Sequence, residues 1–390
     1  MSTDLLGNPA TFEGGEASRA TLDGFVEGFL SSEARAADIL AAADDPSPIV
    51  QACIAAVHMF AESAGAAAAA RPFIARARDG LDRVTPRERR FIHAVAAWVD
   101  GDIPQAVALH EQQASEHPRD LASLKLGHYH LFNRGDAPGM LRLALAALPA
   151  AADVPYLHGM LAFAWEQCHA LEQAEACARR AMAMCRKEPW AHHALAHVML
   201  TQGRLHEGHA YLADVSETWT GLNSFMVTHN WWHQALFALE LDRGDEALRL
   251  YDERIWGVAK DYSQDQINAV SLLARLELAG LDVGDRWQDL AQYLARRTAD
   301  QVLPFLDMQY LLGLARADRP EAGTLLRNIQ ARAARPGADE TTWRDVCVPA
   351  SRGLLAWARG EHATAVRELG QALPRLLETG GSHAQRDLFA

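Results

Sequence analysis

The chain has 390 residues, 49% of them hydrophobic, and is therefore long enough to bury a substantial core. Asp and Glu total 50 against 37 Lys and Arg, a formal net charge of −13. Surfaces that bind nucleic acid or anionic lipid need clustered basic residues, so the composition predicts neither as a partner. No apolar stretch approaches the roughly 20 residues of a membrane helix, and no membrane association is expected.

The N-terminal segment and the cysteines indicate in which cellular compartment the protein is found. The first residues, MSTDLLGNPATFEGGEASRA, lack a basic segment followed by an apolar run, so we expect no signal peptide. Five cysteines without a Cys-x-x-Cys spacing suit a reducing compartment better than a disulfide framework. We predict a cytoplasmic protein with a flexible polar tail over residues 1–20.

Short breaks between helical stretches recur along the chain at intervals of roughly 33 to 42 residues. The breaks are Gly65, Gly101, Gly135, His169–Ala170, Gly203, Gly244, Gly280, Ala317–Asp318 and Gly360. A period near 34 with a helix on each side is typical of tetratricopeptide (TPR) repeats. The sequence therefore predicts an all-α fold, a TPR-like α-solenoid of about eight helical hairpins that forms one domain over residues 21–390.

Two pairs of histidines have helical spacing. The stretch THNWWHQ places His229 and His233 four residues apart, and AHHALAH does the same with His193 and His197. An α-helix turns once in 3.6 residues, so the members of each pair share a face. Because adjacent repeats stack, we expect both pairs to converge on one cavity of the concave surface, with Asp307 approaching from a later repeat.

Such a pocket has two interpretations. Neutral imidazole is a common metal ligand and titrates near neutrality, so the four histidines are candidates for catalysis, together with Asp307, and for holding a divalent metal. Alternatively, they are hydrogen-bonded core residues that fix the stacking of neighbouring helices. The His-Glu-x-x-His zinc motif is absent, and a histidine pair alone is a weak metal signal. No other cofactor is evident.

Two tryptophans, Trp231 and Trp232, lie between the histidines of the second pair. Adjacent helical residues point in different directions, so we expect one indole to pack between repeats and the other to wall the groove. There it could contact an apolar or cationic ligand. Plain packing is the alternative for both.

The C-terminal stretch GGSHAQRDLF predicts a turn and a new helix. Gly380 and Gly381 end the preceding helix, and the next residue, a serine, can cap the new one. We expect Asp387 to form a surface ion pair, and His383 and Arg386 to lie at the mouth of the groove. Arg386 could there bind an anionic group through two hydrogen bonds.

Four blocks, WAHHALAHVMLTQGRLHEG, HNWWHQALFALELDRGDEALRLYD, SLLARLELAGLDVGDRWQDLA and GGSHAQRDLF, resemble proteins of the tetratricopeptide repeat protein 38 family. The resemblance runs from about Thr85 to the C-terminus. It implies an all-helical TPR-like solenoid in a soluble protein, and it supplies no reaction. The family's recurrent polar positions match His193, His197, His229, Asn230, His233, Asp252, Asp307, His383, Arg386 and Asp387.

The chain also departs from this family. Gln309 stands where a histidine is common, and Ala274 stands where a tryptophan is usual. If that histidine served a metal or proton transfer, its loss would alter the activity. Relatives continue past the SHAQRD block with a further hairpin, and an uncapped repeat end exposes apolar surface. We therefore expect a homodimer through the C-terminal region.

Two functions remain open. The first is a binding module whose His-, Trp- and acid-lined groove holds a small molecule or a peptide segment of a partner. The second is a hydrolase- or lyase-type enzyme, with or without a metal, that uses the same histidines. The sequence has no nucleophile elbow, phosphate loop or complete metal motif, which favours the binding module. The predicted ligand-binding residues are His193, His197, His229, Trp231, Trp232, His233, Asp307, His383 and Arg386.

Overall fold

A computed structural model describes residues 2–389, and its regular elements are all helical apart from two isolated bridges. The helices are α1 Glu16–Leu30, α2 Pro48–Met59, α3 Ala66–Asp79, α4 Pro86–Val99, α5 Ile103–Glu116, α6 Leu121–Asn133, α7 Ala137–Ala151, α8 Pro155–Gln167, α9 Leu171–Met184, α10 Pro189–Thr201, α11 Leu205–Val215, α12 Ser224–Glu240, α13 Gly244–Leu250, α14 Ser263–Leu278, α15 Arg286–Leu294, α16 Pro304–Arg316, α17 Glu321–Ala333, α18 Glu340–Thr342, α19 Val348–Ala358, α20 His362–Ala372 and α21 His383–Arg386. None of the described helices has both the length and the apolar character needed to cross a membrane.

Nine consecutive helix pairs within the described range, from α2–α3 to α19–α20, pack as hairpins, where the sequence predicts about eight. The first helices of neighbouring pairs also pack on one another, as α8, α10, α12, α14 and α16 do in succession. A lone hairpin cannot bury its apolar face, and this stacking completes the burial. The predicted all-α, TPR-like solenoid is confirmed.

Most of the predicted breaks coincide with turns whose backbone is left-handed. Gly101 and Gly203 end first helices at φ 83° and 68°, a conformation that glycine adopts without steric cost. In two turns the left-handed residue is not the predicted glycine. Glu62 at φ 47° and Asp242 at φ 58° take this position, a few residues before Gly65 and Gly244.

The N-terminal segment is packed in this structure, whereas the sequence predicts a flexible tail over residues 1–20. Asp4 is buried beside the guanidinium of Arg87, at 3.6 Å. Asn8 Nδ2 donates to the carbonyl of Arg119 at 3.1 Å, and Arg119 Nε donates to the carbonyl of Leu6 at 2.9 Å. Arg87 of α4 and Arg119, just before α6, thus satisfy polar groups of the segment. Composition alone does not reveal these long-range contacts.

The buried apolar side chains form two clusters, one spanning residues 22–237 and the other residues 232–389. They meet on α12, where Phe237 belongs to the first cluster and Trp232 to the second. The core therefore continues along the array, and the boundary of the repeat domain at residue 21 stays a prediction.

Residues far apart in the sequence also meet. The buried carboxylate of Glu62 accepts hydrogen bonds from Tyr129 Oη at 2.8 Å, Ser263 Oγ at 2.6 Å and Gln264 Nε2 at 2.7 Å. These contacts join the first hairpin to the third and the seventh. At the other end, His383 Nε2 lies 3.0 Å from the carbonyl of Gln167 on α8. The array thus closes on itself around α10 and α12.

Candidate metal centre

Helices α10 and α12 are neighbouring first helices, and each begins at a defined cap. The Glu188 carboxylate accepts from the backbone N–H of Ala191, and Asn223 Oδ1 accepts from that of Met226 at 2.8 Å. These caps satisfy backbone N–H groups that have no partner inside the helix. They fix where each helix begins, and hence the position of each histidine along its helix.

The structure brings the two histidine pairs together. His193, His197, His229 and His233, here called the histidine quartet, are all buried, with at most 2% of each residue exposed. One ring nitrogen from each lies within 4.8 Å of the others. His193 Nε2 is at the centre, 3.0 Å from His197 Nε2 and 3.1 Å from His229 Nε2.

The outer nitrogens of two of these rings face oxygen atoms. His197 Nδ1 lies 3.3 Å from Glu166 Oε1, which contributes a buried carboxylate from α8. His229 Nδ1 lies 2.9 Å from Asn268 Oδ1 of α14. The amide of Asn268 is oriented by its other end, because its Nδ2 donates to Thr228 Oγ1 at 3.3 Å. Both oxygens favour a proton on the adjacent Nδ1.

This arrangement leaves the inner nitrogens short of protons. A neutral imidazole carries one N–H, so a proton on Nδ1 leaves a lone pair on Nε2. The Nε2 lone pairs of His197 and His229 then both point at His193 Nε2, which can donate only one proton. In addition, neither ring nitrogen of His233 has a hydrogen-bond partner among residues 2–389. Buried polar atoms without partners are rare and costly, and a cation between the four rings would satisfy them.

The electrostatics keep three of these rings neutral. Burial lowers the pKa of His229 to about 3, and it holds the pKa of His193 and of His233 well below the usual 6.5. The neighbouring imidazoles lower all three pKa values further. Burial acts to raise the pKa of the Glu166 carboxyl, but His197, the hydrogen bond from Gln167 and the nearby His383 together outweigh it, and the pKa lies below its ordinary value. Neutral imidazoles beside a carboxylate are the protonation states that metal binding requires.

The two tryptophans take different positions. Trp232 is fully buried and lies parallel to the ring of His229, with centroids 5.2 Å apart, and the guanidinium of Arg275 covers it at 5.3 Å. Trp231 is partly buried and packs edge-on against Trp219 at 4.9 Å. Trp232 therefore walls the quartet, while Trp231 packs between α12 and the segment after α11.

The structure does not place Asp307 with the quartet. Its buried carboxyl accepts a hydrogen bond from Gln301 Nε2 at 3.3 Å. The reason is the stacking order, since α14 lies between α12 and α16 and Asn268 of α14 occupies the place beside His229. Gln309, on the same helix as Asp307, is also buried, and its Oε1 has no partner within the described part of the chain.

The C-terminal residues lie close to the quartet without joining it. His383 Nε2 donates to the carbonyl of Gln167, and its ring lies 4.1 Å from that of His169. Arg386 donates to the carbonyl of Gly381 and, at 3.2 Å, to His383 Nδ1. Its guanidinium therefore forms hydrogen bonds within the C-terminal segment, where the sequence predicts that it binds an anionic group. Asp387 forms an ion pair with Arg275.

A cavity of about 1010 Å³ adjoins the quartet. His197 belongs to its wall, as do His383 and several leucines, whereas Trp231, Trp232 and Asp307 do not. The quartet therefore borders this cavity through a single imidazole, that of His197.

Sequence reasoning missed Glu166 and Asn268. Both lie on first helices that flank α10 and α12, and both are buried at 0 and 1% exposure. The available signal was weak: a single acid in LAFAWEQ and a single amide in DQINAV, each within an otherwise helical and largely apolar stretch.

The fold and the site define a TPR-like helical-repeat protein with a buried histidine centre. No family model matches the chain, so membership of the tetratricopeptide repeat protein 38 family stays a prediction. Among solved structures, the thermophilic TPR protein TTC0263 of Thermus thermophilus shares 18% identity, with a TM-score of 0.39 over 50% of this chain and 98% of its own.

Two further structures are similar over more of the chain. The human IFIT1 dimer with PPP-AAAA shares 12% identity at a TM-score of 0.47, over 94% of this chain and 84% of its own. The Cut9–Hcn1 complex of the APC/C shares 10% identity at a TM-score of 0.44, and the match covers 83% of this chain and 62% of its own. Such values concern the helical-repeat arrangement alone. The expectation that this chain has no nucleic-acid partner therefore rests only on its own charge.

Proposed function

We propose that the protein is a metal-binding helical-repeat protein in which the histidine quartet holds one divalent transition-metal ion. The main support is that imidazole nitrogens of the quartet converge on one point and have too few N–H protons to form hydrogen bonds with one another. Glu166 and Asn268 fit the usual outer partners of metal-bound histidines, which orient each ring and fix its tautomer.

Zinc is the metal that the ligands suit best. Imidazole nitrogen is a good ligand for zinc, copper, nickel and iron, and zinc prefers four ligands in a tetrahedron. Nitrogens on a tetrahedral zinc lie about 3.3 Å apart, given Zn–N distances of about 2.0–2.1 Å. Two separations in the quartet, 3.0 and 3.1 Å between Nε2 atoms, are close to this value, and the four candidate ligand nitrogens all lie within 4.8 Å of one another. The more distant rings would have to move inward for all four nitrogens to bind one ion.

We further propose that the adjoining cavity binds a small molecule or a segment of a partner protein. Its volume of about 1010 Å³ is at the upper end of ordinary ligand pockets, and its wall mixes leucines with a few polar groups. A cytoplasmic location and a homodimer complete the proposal, and both come from the sequence.

An enzyme that uses the metal is the second candidate, because His197 belongs to both the quartet and the cavity wall. The ligand number argues against it. Four histidines fill a tetrahedral zinc, whereas catalytic zinc sites keep one position for water or substrate. Zinc-dependent hydrolysis of p-nitrophenyl acetate that the His229→Ala/His233→Ala variant lacks would favour the enzyme.

The metal itself is tested by elemental analysis of the purified chain after dialysis against Zn²⁺ or Co²⁺. We expect about one ion per chain in the wild type and close to none in His229→Ala/His233→Ala. Bound Co²⁺ should also show the strong visible absorption of a tetrahedral site. His206→Ala/His362→Ala is the matched control, because it removes two exposed histidines outside the quartet. Equal metal contents in both double variants would refute the proposed centre.

A further inference from the structure

The cavity beside the quartet has a largely apolar wall. Leucines from five first helices contribute to it. They are Leu200, Leu236, Leu239, Leu278, Leu312 and Leu354. Trp357 and Phe389 add aromatic surface, and Leu278 is 61% exposed. An exposed apolar surface inside a concave site is typical of a place where a ligand binds.

The polar part of the wall carries an excess of negative charge. Glu240, the last residue of α12, and Asp242, two residues later, are exposed carboxylates without an ion pair within 4.0 Å among residues 2–389, although Arg275 interacts with Glu240 electrostatically. Arg275 is the single Lys or Arg of the wall, and it is already paired with Asp387. Three carboxylates, those of Glu240, Asp242 and Asp387, thus share the wall with one guanidinium, and the wall has an excess of two negative charges.

We propose that this cavity binds an amphiphilic organic cation, a small molecule with an apolar chain or ring system and an ammonium or guanidinium group. The apolar body would lie against the leucines and Trp357, and the cationic group would lie near Glu240 and Asp242. The inference rests on the ligand-binding part of the proposed function and names its ligand class. It is independent of the metal.

Anionic and neutral ligands fit this wall less well. A carboxylate or phosphate would meet Glu240 and Asp242 without a free guanidinium or ammonium to bind it, since Arg275 also donates to the carbonyl of Ala384 and to Ser271 Oγ. A neutral amphiphile would gain the apolar contact alone. Opposite charges in a partly enclosed, low-dielectric site attract more strongly than on an open surface.

The test compares three probes of equal chain length with the full chain by titration calorimetry, at low ionic strength and below their micellar concentrations. The probes are octyltrimethylammonium, octyl glucoside and octanoate. We expect the cation to bind about tenfold more tightly than octanoate, with the glucoside between them. Glu240→Gln/Asp242→Asn should weaken the cation about fivefold and leave the glucoside unchanged. Leu278→Gln should weaken all three.

The matched control is Asp245→Asn/Glu253→Gln, which removes two exposed carboxylates outside the cavity wall and should change none of the affinities. If the three probes bind equally, or the control weakens the cation as much as the cavity variant does, the cation inference is refuted while ligand binding stands. If no probe binds, the ligand-binding part of the proposed function fails with it. Zinc content decides the metal part separately.

Discussion

Glu166 and Asn268 determine which nitrogen of their neighbouring histidines is free. Their oxygens lie 3.3 Å from His197 Nδ1 and 2.9 Å from His229 Nδ1, so each favours a proton on the outer nitrogen and a lone pair on the inner one. Asn268 is in turn held by Thr228, whose hydroxyl donates to Asp265 Oδ1 at 2.9 Å. The histidine quartet and its outer partners thus come from four neighbouring first helices, α8, α10, α12 and α14. The contribution of each outer partner can be tested by a single substitution.

The Glu166→Gln variant should bind zinc more weakly, by about 10- to 100-fold, the usual effect of losing an outer partner of a metal-bound histidine. An amide has no charge to stabilise His197 as a ligand, although it has the same shape as the carboxylate. Competition with a chromophoric chelator measures the affinity. Glu172→Gln, an exposed position on α9, should retain the wild-type affinity. An unchanged affinity in Glu166→Gln would show that the carboxylate is only a packing residue.

Buried histidines outside the quartet should make the free energy of unfolding depend on pH. Burial lowers the pKa of His110 to about 4, with Asp120 opposing the shift, while the unfolded value is about 6.5. Between these values the unfolded chain binds a proton that the folded chain does not. The stabilisation is therefore complete above pH 6.5 and is lost as the pH falls towards 4, by up to about 1.4 kcal/mol per pH unit.

Urea unfolding of His110→Leu at several pH values checks this expectation. Its free energy of unfolding should fall less steeply between pH 6.5 and 4.5 than that of the wild type. Exposed His206→Leu should follow the wild-type slope. Parallel curves for wild type and His110→Leu would mean that this imidazole is not protonated on unfolding in that range.

Packing between helices α11 and α12 depends on a glycine. A Cβ at Gly208 would lie 2.2 Å from the ring of Phe237, so the two helices approach closely only because that atom is missing. Since α12 carries His229 and His233, this contact also helps to set the position of half of the quartet.

Gly208→Ala should destabilise the protein by about 1–3 kcal/mol, the usual cost of overpacking a well-filled contact. Thermal or urea unfolding measures the change. Gly370→Ala in α20 is the matched control, because no atom lies within 4 Å of the added Cβ and the backbone is helical. There alanine should stabilise by about 0.5–1 kcal/mol. Equal effects at both sites would contradict the close contact between α11 and α12.

At the scale of the whole molecule, the last hairpin carries an exposed apolar side chain on its outer helix, α20. Val366 of this helix is 73% exposed. A two-fold contact across this helix would bury it and produce the homodimer expected from the sequence.

Light scattering at micromolar concentration should therefore give twice the mass of one chain for the wild type and the mass of a single chain for Val366→Glu. Leu5→Glu introduces the same charge at another exposed apolar side chain, 49% accessible, and should leave the dimer intact. A single-chain mass for the wild type would remove the dimer from the proposal.

The helices, their pairing and the faces of the histidines could all be predicted from the sequence. The reason is local, because a period of 3.6 residues and left-handed turn residues act over a few positions. Thus THNWWHQ already placed His229 and His233 on one face. Even here, the left-handed residues of two turns are Glu62 and Asp242, a few residues before the predicted breaks at Gly65 and Gly244, since short polar segments can end a helix in several ways.

The surroundings of those histidines, in contrast, depend on how distant helices pack. Glu166, Asn268 and Arg275 come from other helices, and Asp307 is kept away because α14 lies between α12 and α16. The angle and register at which helices stack depend on side-chain packing along the whole array, which no local pattern contains. For the same reason the folding-back of His383 onto Gln167, and the cavity that this segment helps to enclose, could not be read from the chain.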